Sequence, residues 1–381
     1  MRQATQQQGV VGLEGGTGGA PREAALTRLR FFLIGWVVLY HLDLPLRVTD
    51  VLPSLGPLLR HGYLGVDGFF LLSGFALWLG YGARPPRGVS GVLGFLQRRF
   101  AKIWPLHALA LAALALLVGL ASVSGITIHE PARFALTEFL LQLILVNAWE
   151  TTSQHAWNYP SWALSVEWAG YLAFPLLIWA LGRLPLPVVP LVPLAAFLGL
   201  AVLADWKPGW GLNHTLHLGL VRFGLEFLAG LGLGRLATAR LLPRAVLWPV
   251  LLALPAGLWL NQDALTVVGL AVLIPLLHRP AAAAAPNAAS GQPDLLLRLG
   301  EASFGIYLCW IFVEAVLTGV LRVVEPGPAG KVGLMLAGLL ASLMAGWLAW
   351  RFIEVPVQRW LLRRRVPGQT SAPMMAQRSG G

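Results

Sequence analysis

The chain has 381 residues, of which 56% are hydrophobic and 12% charged, and its mean hydropathy is +0.68. A soluble chain carries about twice that charged fraction, so the composition excludes a water-soluble domain and defines a membrane protein. The net charge of +11 does not call for nucleic acid, because the basic residues sit mainly in short loops and near the C-terminus, where the positive-inside rule places them. The single cysteine, Cys309, excludes an intrachain disulfide and a multi-cysteine metal site.

The first 26 residues are rich in Gly and Gln and lead into Arg28 and Arg30. They contain no apolar core with a small-residue cleavage site, so no removable signal peptide is expected and the first span stays in the mature protein. Apolar run length then predicts spans near 28–43, 62–82, 103–121, 134–148, 163–181, 186–204, 218–237, 245–260, 264–277, 302–321 and 332–352. The stretch from Arg84 to Lys102 reads as a basic loop. Together with Arg359, Arg363, Arg364 and Arg365 it predicts that Arg99, Arg364 and both termini face the cytoplasm and that Ser153 lies outside. Both ends inside require an even number of crossings. Residues 134–148 are short and hold Glu138, Gln142 and Asn147, so this stretch is expected to be interfacial or re-entrant. The predicted fold class is therefore an all-α polytopic transmembrane bundle of about ten spans. Residues 279–294 read as a mobile low-complexity loop.

In the first span, eleven steps separate Arg30 from His41. At about 100° per residue they return to within about 20° of the starting direction and rise roughly 16 Å. Both side chains therefore share a helix face about half a bilayer apart. Histidine is the commonest general base, and ionisable groups inside a membrane usually face a cavity; a snorkelling arginine and an interfacial histidine fit the same spacing. In the second span, GYLGVDGFFLLSGF places Asp67 early in an apolar helix, where it serves either the chemistry or the helix dipole. In the fifth, PSWALSVEWAGYLAFP buries Glu167 near Ser161 and Ser165. A carboxylate there could orient the imidazole of His41 as the third member of a triad does, or form a structural hydrogen bond.

Further along the chain, Arg222 and Glu226 are spaced to pair on one helical face. Glu314 stands alone in its span and could line a cavity. His107, His155, His214 and His278 lack ligand spacing, so no metal site is expected. Among sixteen tryptophans, Trp157 and Trp162 are those expected to touch substrate, with Ser165 beside them.

Taken in order, Arg30 with His41, GYLGVDGFFLLSGF, FLQRRFAKIWPLH, PSWALSVEWAGYLAFP, EFLAGLGLGRL, LGEASFGIYL and FIEVPVQRW resemble the acyltransferase-3 family over about residues 28–365. The resemblance implies a bacterial inner-membrane enzyme that moves an acetyl or longer acyl group from acyl-CoA to a hydroxyl of a carbohydrate, lipid or small molecule, with no permanently bound cofactor. It implies that His41 is the catalytic histidine and that Arg30 and the basic run serve coenzyme A. Arg98, Arg99 and Lys102 would then hold its phosphates, since the arginine fork matches phosphate oxygens. Glu167 and Asp67 are the expected carboxylate partners in catalysis. The sequence departs from the family pattern at Trp168, Lys102 and Trp310, where an acid, an arginine and a histidine are frequent. No esterase-like domain is expected beyond the membrane domain of residues 28–365, flanked by disordered cytoplasmic ends at 1–27 and 366–381. Two rival readings use the same residues: a transporter with His41, Asp67 and Glu167 as a proton relay, and a non-catalytic scaffold.

Overall fold

The computed structural model describes residues 24–125, 130–278 and 294–363. The low-complexity loop up to residue 293 and most of the two expected disordered ends lie outside them. Every described element is a helix. The longer ones are α1 (Ala24–Leu46), α2 (Gly65–Tyr81), α3 (Gly88–Val123), α4 (Leu136–Leu143), α5 (Trp162–Arg183), α6 (Leu191–Asp205) and α7 (Gly219–Thr238). They are followed by α8 (Arg244–Leu251), α9 (Ala253–Leu260), α10 (Asp263–Leu277), α11 (Leu295–Glu301), α12 (Ser303–Leu321), α13 (Pro328–Ala349) and α14 (Val355–Arg363). Seven helical stretches are long and apolar enough to cross a membrane. The expected all-α membrane bundle is the fold observed.

Three elements differ from the sequence reading or sharpen it. The basic stretch before Lys102 is helical from Gly88 onward and forms the first turns of α3. One side of it carries Phe95, which is fully buried, so tertiary packing stabilises a helix that hydropathy alone does not mark. At 36 residues α3 is about 54 Å long, well beyond what the roughly 30 Å apolar slab requires for one crossing. Residues 134–148 contain only the eight-residue α4, about 12 Å long and too short to cross. Side chains hold this segment against its neighbours: Trp104 donates to the Leu143 carbonyl at 2.9 Å, and His107 meets the Gln142 carbonyl at 2.8 Å. The apolar run 245–260 is broken between α8 and α9, where Pro255 can give no backbone N–H.

Close helix packing sets the centre of the bundle. A Cβ on Gly74 of α2 would strike the Phe227 carbonyl of α7, and one on Gly230 would strike the Leu71 carbonyl. These glycines bring two backbones into contact, as small residues do where lipid supplies no hydrophobic drive between helices. Gly305 of α12 and Gly346 of α13 make a second contact of the same kind. Between α13 and α14 the helix widens into a π turn, Trp350–Glu354. It leaves Glu354 3% exposed and facing α3.

Candidate active site

Arg30 and His41 occupy the shared face that their spacing requires, and each borders a cavity. The first cavity, about 200 Å³, lies at the Arg30 end of α1 and is also bordered by Ser73, Arg99, Lys102, Glu167 and Tyr171. The second, about 1010 Å³, lies at the His41 end with Tyr63, Tyr159, Trp162, Asn213 and Glu314. Val66 of α2 and Tyr307 of α12 border both.

The surroundings of His41 are aromatic. Trp310 stacks on its ring with centroids 4.1 Å apart and planes 22° from parallel, while Tyr40 meets it edge-on at 4.9 Å. The Tyr159 hydroxyl lies 3.3 Å from Nδ1 of His41 and donates to Oε2 of Glu314 at 3.1 Å. A hydroxyl carries one proton. With that proton on the Glu314 bond, the Tyr159 oxygen accepts from His41, which puts the imidazole proton on Nδ1 and leaves the lone pair on Nε2. In this tautomer Nε2 is the accepting nitrogen of the ring.

The tyrosine is placed by the connection into α5, a short 3-10 turn over Tyr159–Ser161. The Tyr307 hydroxyl donates to the Pro160 carbonyl at 2.8 Å, and Trp157 donates to the Ala135 carbonyl at 3.0 Å. In the same loop His155 packs edge-on against Tyr159. Burial, with the Arg133 charge adding to it, holds the His155 pKa below the ordinary imidazole value, so this ring is neutral at pH 7.

Glu167 does not meet His41. Its Oε1 accepts from Ser73 at 2.9 Å and from Tyr171 at 2.6 Å, inside the first cavity. The reason is helix rise: five residues beyond Trp162, about 7.5 Å along α5, Glu167 has passed to the other side of Val66 and Tyr307. The carboxylate that reaches His41, through Tyr159, is Glu314. Asp67 is likewise turned away. Both its oxygens accept from Arg222, Nε at 3.0 Å and Nη2 closer still, and all three groups of the Asp67, Arg222 and Glu226 cluster are buried. Arg222 therefore pairs first with Asp67, and Glu226, the expected partner, stands further off at 3.7 Å.

The other expected site residues divide between the cavities and the packing. Arg99 borders the first cavity with its guanidinium over the rings of Tyr81, Phe95 and Tyr171. Lys102 also borders it, but its ammonium is paired with Glu354. Arg98 is directed instead toward the Tyr81 hydroxyl at 3.4 Å, outside the lining. Trp162 lines the second cavity as expected. Trp157 does not; it packs on Phe134 and Phe139 and anchors its loop. Ser165 is buried, and its hydroxyl accepts the Ala148 N–H at 3.0 Å, so it clamps the end of the segment that carries α4 and touches neither cavity. Among the described residues, no three His, Cys, Asp or Glu side chains converge as a metal ion requires. Tyr159 and Tyr307 were missed from sequence, and Trp310 stood out only as a departure from the family pattern. One signal was legible: Trp310 and Glu314 stand four apart and so share a face of α12.

The three groups that a relay would link do not meet: His41 borders one cavity, Glu167 the other, and Asp67 is paired with Arg222. What remains is a histidine bordering one cavity and basic side chains bordering the other, in a bundle whose longer helices have the length and apolarity to cross a membrane. The comparison with known proteins places it among the membrane acyltransferases. The chain belongs to the acyltransferase-3 family, whose model, described as an acyltransferase domain, matches residues 23–351. It is 31% identical over 376 residues to Acyltransferase MdmB of Streptomyces mycarofaciens, covering 90% of this chain and 94% of that one. It is 28% identical over 319 residues to the exopolysaccharide production protein ExoZ of Rhizobium meliloti, covering 80% and 92%. A shorter match, 49% over 53 residues, joins it to Protein 2 in the picA locus of Rhizobium radiobacter, covering 14% and 28%. No solved structure matches the chain. The transferred group is therefore an acyl group other than an amino-acyl group.

Proposed function

We propose that the enzyme is an O-acyltransferase that takes an acyl group from coenzyme A at the Arg30 end and delivers it to a hydroxyl held beside His41. The observation that carries this reading is the line His41, Tyr159, Glu314 at the edge of a large chamber, divided by Val66 and Tyr307 from a cavity with arginines at its border. Arg30 and Arg99 hold the coenzyme A phosphates. Lys102 serves there only if a phosphate competes with Glu354 for its ammonium. Nε2 of His41 takes the proton of the acceptor hydroxyl, whose oxygen attacks the thioester carbonyl. The C–S bond breaks, and the protonated imidazole returns its proton to the departing sulfur, releasing ester and free thiol. Base catalysis of this kind is typically worth about 10²–10⁴-fold.

The acceptor is a hydroxyl-bearing carbohydrate, lipid or small molecule; the name of ExoZ points to exopolysaccharide as one such class. The membrane is the bacterial inner membrane. With ten crossings, α1, α2, α3, α5, α6, α7, the α8 and α9 pair, α10, α12 and α13, both ends of the bundle lie on one side, and the basic segments near them make that side cytoplasmic by the positive-inside rule. The Arg30 cavity then opens toward the cytoplasm, where coenzyme A is made.

The test is purified protein with acetyl-CoA, read as release of free thiol in the presence of hydroxyl acceptors. Wild type releases thiol. His41→Ala loses at least about a hundredfold while still inserting into the membrane, and a variant keeping more than about a tenth of the rate would remove His41 as the base. In the same assay Arg30→Ala raises the acetyl-CoA KM, and lysine restores it only in part, because an ammonium lacks the planar fork.

A further inference from the structure

Val66 and Tyr307 lie at the junction of the two cavities, contributed from helices on opposite sides. The tyrosine is fixed there. Its hydroxyl is bound to the Pro160 carbonyl at 2.8 Å, its neighbours Ile306 and Leu308 are fully buried, and Gly305 holds α12 against the backbone of α13. Beside it, Phe70 from the first cavity meets Trp162 from the second edge-to-face at 5.8 Å, and the Arg222 guanidinium covers Trp162 at 5.4 Å. Three aromatic side chains, Tyr307, Phe70 and Trp162, and one β-branched side chain, Val66, thus stand between a cavity of about 200 Å³ and one of about 1010 Å³.

We propose that Tyr307, with Val66 opposite, sets the length of acyl group the enzyme accepts. The inference rests on coenzyme A entering from the Arg30 end. A thioester arriving that way leads with its acyl chain. For the carbonyl carbon to come within reach of an acceptor beside His41, every carbon beyond it has to pass between Tyr307 and Val66. A short acyl group clears this gap, whereas each added methylene meets a ring whose position is set by the close packing of α12 around it. Close-packed interiors resist such insertion. The acyl end that does pass enters the acceptor chamber and competes with the acceptor for it.

The test uses the full chain in nanodiscs with acetyl-, butanoyl- and octanoyl-CoA as probes. Affinity is read from the ligand-induced rise in Tm, and turnover from thiol release into glycerol. Wild type is expected to hold octanoyl-CoA at least about tenfold more weakly than acetyl-CoA, the order of discrimination that methylene-sized mismatches give in an apolar slot. Tyr307→Ala is expected to erase most of that gap, while Tyr307→Phe, which keeps the ring, preserves it. If Tyr307→Ala does not fold, Val66→Ala opens the same gap from the other side. A gap unchanged in the folded alanine variant overturns the proposal. So does a gap lost equally in Tyr307→Phe, because the effect would then belong to the hydroxyl bond. Wild type that binds octanoyl-CoA as well as acetyl-CoA overturns it while leaving the acyl-CoA reading intact. Wild type that neither binds nor turns over any of the three overturns both.

Discussion

Residue by residue, the site is governed by where single protons and charges can rest. Tyr159 is the junction: its one proton satisfies Glu314, and its oxygen orders the tautomer of His41. Phenylalanine at this position keeps the ring contacts with Trp310 and His155 but removes that ordering. Tyr159→Phe is expected to lower kcat by about tenfold to a hundredfold, less than loss of the base itself, with the acetyl-CoA KM unchanged. A rise in KM with kcat intact would show that Tyr159 binds the donor instead. Asp67 illustrates the opposite case, a carboxylate whose charge is spent on structure. Asp67→Asn leaves the buried Arg222 guanidinium short of a counter-charge, and breaking a buried pair in this way costs about 3–5 kcal/mol. The expected outcome is a large drop in Tm in detergent. An Asp67→Asn protein as stable as wild type yet inactive would return Asp67 to the chemistry.

At the level of helices, α2 and α7 carry the buried ion pair between them, α2 also supplies Val66 of the partition, and the closeness of the two helices depends on two glycines. Gly230→Ala would press a methyl group onto the Leu71 carbonyl, which cannot yield without moving α2. Overpacking of this kind costs about 1–3 kcal/mol. Gly224 lies on the same helix with nothing within 4 Å of its Cβ position, so Gly224→Ala is a matched control. It is expected to be neutral or stabilising by up to about 1 kcal/mol, since alanine is the better helix former. Thermal unfolding of the two variants should differ in sign, and equal loss in both would remove the close contact as the cause. The π turn before α14 acts at the same scale. It aims Glu354 at Lys102 and so ties the C-terminal end of the bundle to the basic end of α3.

For the whole molecule, sidedness decides whether the two chambers can serve donor and acceptor as proposed. Ser153 is exposed in the loop beside the His41 chamber, and Ser90 is exposed in the first turn of α3 at the basic end. With Cys309 replaced, Ser153→Cys is expected to react with a membrane-impermeant thiol reagent in intact cells. Ser90→Cys should react only after lysis, as the positive-inside rule requires for the segment around Arg84, Arg87, Arg98 and Arg99. Labelling of both from the same side would mean that the stretch containing α4 crosses after all, against its length of eight residues. The two cavities would then lose their assignment to opposite faces.

How much of this was written in the sequence depends on the range of the forces involved. Hydropathy made the chain a helical membrane bundle, and the eleven-residue interval put Arg30 and His41 on one face, because the pitch of a helix fixes direction and depth locally. Polar content and shortness set 134–148 apart from the spans, and the helix there is only eight residues long. The partners of the charged groups were beyond such reasoning. Periodicity shows that Glu167 and Glu314 both point inward, but not which of them shares a chamber with His41. That choice followed from the partition between α2 and α12, which leaves Glu167 on one side and brings Tyr159 and Glu314 to the other. Arg222 likewise had a carboxylate four residues away and took another 155 positions distant. An intrahelical neighbour is always near, yet only the approach of α2 at the glycine contact placed Asp67 where both its oxygens meet the arginine fork.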